Sequence, residues 1–168
     1  FTDASTISQG TITDWSWDFG DNSGTSTQQN PTYTYANANT YDVTLTITTN
    51  SGCEASKTDQ VTVNPLPVPD FSFNDACVNN GVSFTDNSSI SSGIIQQWNW
   101  DFGNGNTSNQ QNPTETYSAA NDYDVELTLI SDNGCQASLT QTITISPNPL
   151  VSFTATAPCE GSATDFTD

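Results

Sequence analysis

Carboxylates are the first side chains here to weigh for chemistry. Nineteen Asp and Glu stand against one basic residue, Lys57, with no histidine or arginine. Paired acids such as Asp18 with Asp21, or Asp122 with Asp124, are of the types that glycosidases use for acid/base work. Asp18, Asp21, Asp42, Asp101 and Asp124 also offer the hard oxygen donors that suit calcium, although no Asp-x-Asp-x-Asp-Gly loop gathers them. Without histidine, neither a Ser-His-Asp nor a Cys-His nucleophile can be assembled within the chain. The acids are therefore read first as parts of strands and turns and the chain as non-catalytic, with calcium the one cofactor left open.

The remaining reactive side chains are four dispersed cysteines, Cys53, Cys77, Cys135 and Cys159. No Cys-x-x-Cys occurs, and a zinc site would need ligands closer together or histidines. Cysteines recurring in a Thr-, Ser- and Asn-rich chain suit an exported, oxidising setting, so all four are disulfide candidates. The formal charge of -18 leaves no cations to neutralise phosphates, which excludes nucleic acid and an anionic membrane surface as partners. No run of roughly 20 apolar residues is present to span a bilayer, and Phe1-Thr2-Asp3 does not open a signal peptide. Asn87-Ser88-Ser89 and Asn106-Thr107-Ser108 fit the glycosylation pattern, which chance explains in so polar a chain.

Aromatic residues offer a third kind of chemistry, because exposed rings can stack on sugars. Trp15, Trp17 and Phe19 alternate with polar residues, and Trp98, Trp100 and Phe102 repeat the pattern. Alternation puts all three rings on one face of a strand, which favours a core role over an open platform.

The elements that must position these residues are repeated. Phe1 to Phe84 and Trp15 to Trp98 span 83 residues; Cys53 to Cys135 and Cys77 to Cys159 span 82. The residue is lost between Gly20 and Pro31, ten residues against nine between Gly103 and Pro113. That places the change in the turn after the aromatic strand, where length changes are tolerated.

Phe1-Thr2-Asp3 is read as the end of a strand, and Pro31 to Tyr35 and Pro113 to Tyr117 as short proline-led strands. Tyr41, Val43, Leu45 and Ile47, like Tyr123, Val125, Leu127 and Leu129, alternate inward, facing Val61 and Val63 or Ile143 and Ile145 across a turn. Asn133-Gly134 suits a tight hairpin with positive φ.

Proline-rich Asn64–Pro69 and Ser146–Pro149 mark semi-rigid junctions. The resulting domains are 1–65, lacking a first strand, 66–148, complete, and 149–168, the start of a third copy. No helical periodicity appears, so the expected fold is all-β, with sandwiches of about seven strands per repeat in an elongated array.

The order Trp-x-Trp-Asp-Phe-Gly, Asn-Pro-Thr-x-Thr-Tyr, Tyr-x-Val-x-Leu-Thr occurs twice, at Trp15 to Gly20, Asn30 to Tyr35 and Tyr41 to Thr46, then Trp98 to Gly103, Asn112 to Tyr117 and Tyr123 to Thr128. It resembles the PKD (polycystic kidney disease) domain, an immunoglobulin-like β-sandwich. Tyr33 and Glu115 replace a usual histidine, and Asn39 and Asn121 a usual glycine whose positive φ asparagine also tolerates.

The alternation gives a structural core of Trp15, Trp17, Phe19, Tyr41, Trp98, Trp100, Phe102 and Tyr123. The resemblance implies a non-catalytic extracellular module, at the cell surface or secreted, like those in adhesins of gliding bacteria. Its expected role is a semi-rigid stalk in contact with its neighbouring repeats. The alternatives are a binding module for extracellular polysaccharide or protein, and an accessory domain of a secreted hydrolase. Two disulfide patterns stay open under that topology: Cys77 with Cys135 in one repeat, or each first-turn cysteine with the hairpin cysteine of the next repeat.

Overall fold

The computed structural model of the protein describes residues 1–155, 160–164 and 166–167, so Cys159 lies outside the described residues. All described elements are strands: β1 (Ile12–Asp18), β2 (Thr25–Ser26), β3 (Asn39–Thr49) and β4 (Glu54–Val63) in the first copy. The second copy contains β5 (Phe71–Phe73), β6 (Ala76–Cys77), β7 (Gly81–Asp86), β8 (Ile95–Asp101), β9 (Thr107–Ser108), β10 (Thr114–Thr116), β11 (Asn121–Ser131) and β12 (Gln136–Ser146). A last ribbon joins β13 (Thr154–Ala155) to β14 (Phe166–Thr167).

Alternation in β1 and β3 decides the face that is buried. Their antiparallel register sets Trp15 opposite Ile47 and Trp17 opposite Leu45, so the rings and the aliphatic side chains share one side. Trp17, Phe19, Tyr41 and Val43 form a buried cluster, with Trp15, Tyr33, Tyr35, Leu45, Val61 and Val63 packed on it. The intervening threonines face out, where Thr44 and Thr58 hydrogen bond across β3 and β4 at 2.7 Å.

In the second copy a three-stranded sheet, β10-β7-β5, faces a five-stranded sheet, β6-β12-β11-β8-β9. Phe71 on β5 and Phe84 on β7 meet Trp100 on β8 at ring separations of 5.0 and 5.5 Å. Val125, Leu127 and Leu129 of β11 are fully buried, and Ile143 and Ile145 of β12 nearly so. Trp100, Phe102, Phe84 and Tyr117 complete this core, while Trp98 and Tyr123 are half-buried at its margin.

Contacts divide the chain into two compact units that do not follow the repeat boundary. One holds Phe1–Pro69 with Ser88–Gln97 and Leu129–Ala137; the other holds Asp70–Asn87, Trp98–Thr128 and Ser138–Asp168. Within the first unit, Val68 of the proline-rich connector bridges Ser89, each donating its N–H to the other's carbonyl at 2.7 and 3.0 Å.

Three local expectations are corrected. Phe1-Thr2-Asp3 and residues 31–35 form no strand, although their counterparts are the end of β7 and β10. In the second copy β7 is held by β5 and β10 together. The three residues of the first copy instead hold position by single bonds, Phe1 N to Pro31 O and Asp3 N to Asn30 Oδ1, both 2.9 Å. The turn at Asn133-Gly134 takes positive φ only at Gly134 (77°), so it is a bulged turn closed by Ser131 N to Cys135 O and not a tight primed one. Asn39 and Asn121 begin β3 and β11 without positive φ; the asparagines that adopt it are Asn22 and Asn79.

Candidate functional site

The densest polar chemistry sits in the turn that follows the aromatic strand of each copy. Asp18 closes the strand by accepting from Gly20 N at 2.9 Å, and Asp101 does the same for Gly103. Both glycines have positive φ and press against β-strand backbone: a Cβ on Gly20 would lie 2.4 Å from Asp42 O, and on Gly103 2.6 Å from Asp124 O. The Asp-Phe-Gly motif is thus a strand terminator, its carboxylate and its missing side chain both used locally.

Beyond it the two copies diverge as a set. In the first, Asp21 accepts from Ser23 N (3.1 Å), Gly24 N (2.7 Å) and the Tyr33 hydroxyl. The Tyr33 ring lies flat on Phe19 at 4.1 Å and fills the space that a side chain on Gly24 would need. Hydrogen bonds, chiefly from Tyr33 and then from Gly24, hold the Asp21 carboxyl down at about 2, and the same bond pushes the Tyr33 hydroxyl up.

In the second copy Asn104 and Asn106 donate to Glu115 at 3.0 and 2.7 Å. Asp, Gly and Tyr have become Asn, Asn and Glu, with donor and acceptor exchanged. The substitutions at Asp21 and Tyr33 are visible in the sequence, but their coupling is not, because positions 21 and 33 meet only through the turn.

A second acid is spent on the aromatic strand itself. Trp15 Nε1 donates to Asp3 Oδ2 and Trp98 Nε1 to Asp86 Oδ2, both at 2.7 Å, with Gln29 and Gln111 adding bonds of 3.1 and 3.0 Å. Ser5, with smaller contributions from Gln29 and Trp15, holds the Asp3 carboxyl at about 2. Trp17 and Trp100 donate to the carbonyls of Gln28 and Gln110 at 3.0 and 2.9 Å. Every indole N–H is therefore satisfied within its own repeat.

The calcium candidates are scattered by the fold. Asp42 accepts from Gln60 at 2.9 Å and Asp124 from Thr142 at 2.6 Å on strand faces, while Asp18 and Asp101 each accept from the glycine two residues on and Asp21 from its own turn. Among the described residues no three His, Cys, Asp or Glu side chains converge as a metal site would require.

One concavity of about 440 Å³ opens in the first copy, lined by Phe1, Trp17, Val43, Leu45, Lys57 and Asp59. Lys57 and Asp59 form a 2.6 Å ion pair there, with both side chains largely exposed. In the second copy the counterpart of Asp59 is Gln141, which donates to Phe71 O of β5 at 3.0 Å. The residues that line the concavity thus correspond to sheet interior that β5 covers in the second copy.

Of the two pairings left open, Cys77 with Cys135 is not formed; Cys53, Cys77 and Cys135 are free thiols. Cys77 lies beside Ser146 at one end of β12, and Cys135 precedes the other end. Eleven positions at about 3.3 Å each separate them by roughly 35 Å, against the ~7 Å that a disulfide allows.

A family model described as PKD domain matches residues 2–63 and again 64–147. A pre-pro-metalloprotease, PrtV, of Vibrio cholerae is 45% identical over 64 residues, 38% of this chain and 7% of that protein. A microbial collagenase of Vibrio alginolyticus is 38% identical over 70 residues, 41% of this chain and 9% of that protein. The match thus spans less than a tenth of either relative's length.

Among solved structures, the PKD1 domain of Vibrio anguillarum Epp is 30% identical with a TM-score of 0.49, covering 51% of this chain and all of that one. A structure from a study of carbohydrate-binding modules of the β-sandwich superfamily is 26% identical at a TM-score of 0.50, covering 56% of this chain and 44% of that one.

Proposed function

The chain belongs to the PKD domain family, and on that premise we propose that it is a non-catalytic accessory segment of a larger exported protein, its tandem copies serving as a semi-rigid spacer. The observation that carries this reading is that polar groups suited to binding are used twice over in the same internal bonds. Asp3 and Asp86 hold Trp15 and Trp98, Asp18 and Asp101 hold Gly20 and Gly103, and the Tyr35 and Tyr117 hydroxyls donate to the Phe19 and Phe102 carbonyls. A surface kept for a ligand would present such groups unspent.

Proline-rich connectors between copies favour the spacer, since alternating proline resists bending. The parent we favour is a cell-surface adhesin or secreted filament. Similarity to stretches of a metalloprotease and a collagenase supports a second parent, a secreted hydrolase that carries the segment beside its catalytic domain. Glycan binding through the aromatic strands draws no support from their burial, with Trp17 at 6% and Trp100 at 2% exposure.

The reading is tested in the parent protein by replacing residues 1–147 with an unrelated β-sandwich spacer of equal length. Attachment or hydrolysis by the parent is expected to survive the exchange and to fall when the segment is deleted outright. Loss on exchange as well as on deletion would contradict a spacer and point to a specific partner.

A further inference from the structure

Cys77 and Cys135 cannot reach each other, yet repeat equivalence brings their positions to one place. Cys77 is paired with Ser146 in a parallel bridge where β12 ends, and Val78 N donates to Ser146 O at 3.0 Å. Counting back the 82-residue period that relates Cys135 to Cys53, the first-copy counterpart of Ser146 is Asn64. The carbonyl of Asn64 is the group that Cys135 Sγ meets, at 3.9 Å. A cysteine placed in the first copy as Cys77 is placed in the second would lie beside Asn64, about 5 Å away by strand spacing. The residue that flanks a first-ribbon cysteine in one copy is thus the residue touched by the hairpin cysteine of the copy after it.

We propose that in a run of complete copies the first-ribbon cysteine of each copy forms a disulfide with the hairpin cysteine of the next. Cys77 takes the hairpin cysteine of a complete third copy, and Cys135 takes the first-ribbon cysteine of a complete first copy. Cys135, where it meets the connector at Asn64, is half-buried.

Formation of the bond joins the two sulfurs and releases two protons and two electrons. The oxidant is the disulfide of an exported-compartment thiol oxidoreductase, which accepts the electrons by exchange through a mixed disulfide and leaves as a dithiol. The bond would tie each copy to the next beside the proline-rich connector.

Two lengthened chains test this. In one, a duplicate of residues 65–83 precedes Phe1, which gives the first copy its own first ribbon and cysteine. In the other, a duplicate of residues 87–147 follows Asp168, which supplies a third hairpin cysteine. Each is exported to an oxidising compartment, checked for cooperative melting and mapped by non-reducing peptide analysis. The added cysteine of the first chain is expected to be bonded to Cys135, and Cys77 of the second to the added hairpin cysteine. C135S in the first chain is expected to leave the added cysteine open to alkylation. A bond from the added cysteine to Cys53, a bond from Cys77 to Cys135, or folded protein in which the added cysteine and its expected partner are both free thiols would overturn the proposal. If one chain does not fold, the other decides by the same outcomes.

Discussion

The Tyr33 hydroxyl donates to Asp21 across the turn after the first aromatic strand, and at the same two positions of the second copy the polarity reverses, Asn104 donating to Glu115. Either arrangement satisfies the turn because each supplies one donor and one acceptor. A mixture does not.

Y33E alone would place a second carboxylate against Asp21, with like charges and no donor between them. It is expected to lower the melting temperature of the first copy. Combining it with D21N and G24N rebuilds the second copy's set and is expected to recover most of the loss. Thermal unfolding of the single, double and triple variants measures this; equal destabilisation by Y33E in both backgrounds would show that the positions are uncoupled.

Acid should act on the first copy through Asp3 and Asp21. Each has a folded value of about 2 against an ordinary 3.8, so the folded state binds these protons less readily than the unfolded chain. Their stabilisation is complete above about pH 4 and is lost as pH falls toward 2. Unfolding midpoints in denaturant, followed from pH 5 to 2, are expected to drop through that window, and D21N is expected to flatten the drop.

Gly20→Ala is expected to destabilise by at least about 2 kcal/mol, since positive φ and a 2.4 Å approach to Asp42 O act together. Gly134→Ala shares the positive φ but has open space around it, and should cost about 1 kcal/mol. Denaturant unfolding of the two variants separates close packing from backbone conformation.

Trp98→Phe keeps a ring at the core margin but removes the 2.7 Å bond to Asp86. It should cost about 1 to 2 kcal/mol, the value of a hydrogen bond to a charged acceptor at a partly exposed site. Circular dichroism melts should show a cooperative transition at lower temperature.

What the sequence discloses and what it withholds divide along physical lines. Alternation in Tyr41 to Ile47 and Trp15 to Phe19 has period two, so strand identity and inward face are written in consecutive residues. Proline and glycine punctuation does the same for connectors and turns. The reversed pair at 21 and 33, and its equivalent at 104 and 115, is hidden because nothing local marks two loop positions as neighbours. Phe1 to Asp3 has the composition of a strand end, but a ladder needs partners, and its counterpart β7 has them in β5 and β10. Carboxylates looked like potential ligands because composition counts acids without showing which backbone N–H groups they already hold.

The decisive measurement is thermal unfolding of the W17A/W100A double variant beside the unaltered chain. Both rings are almost wholly buried, and truncating each should remove about 3 to 5 kcal/mol, enough to abolish cooperative unfolding in both copies. An unchanged melting temperature would contradict the aromatic strand as the core of each repeat and return its rings to the role of a binding platform.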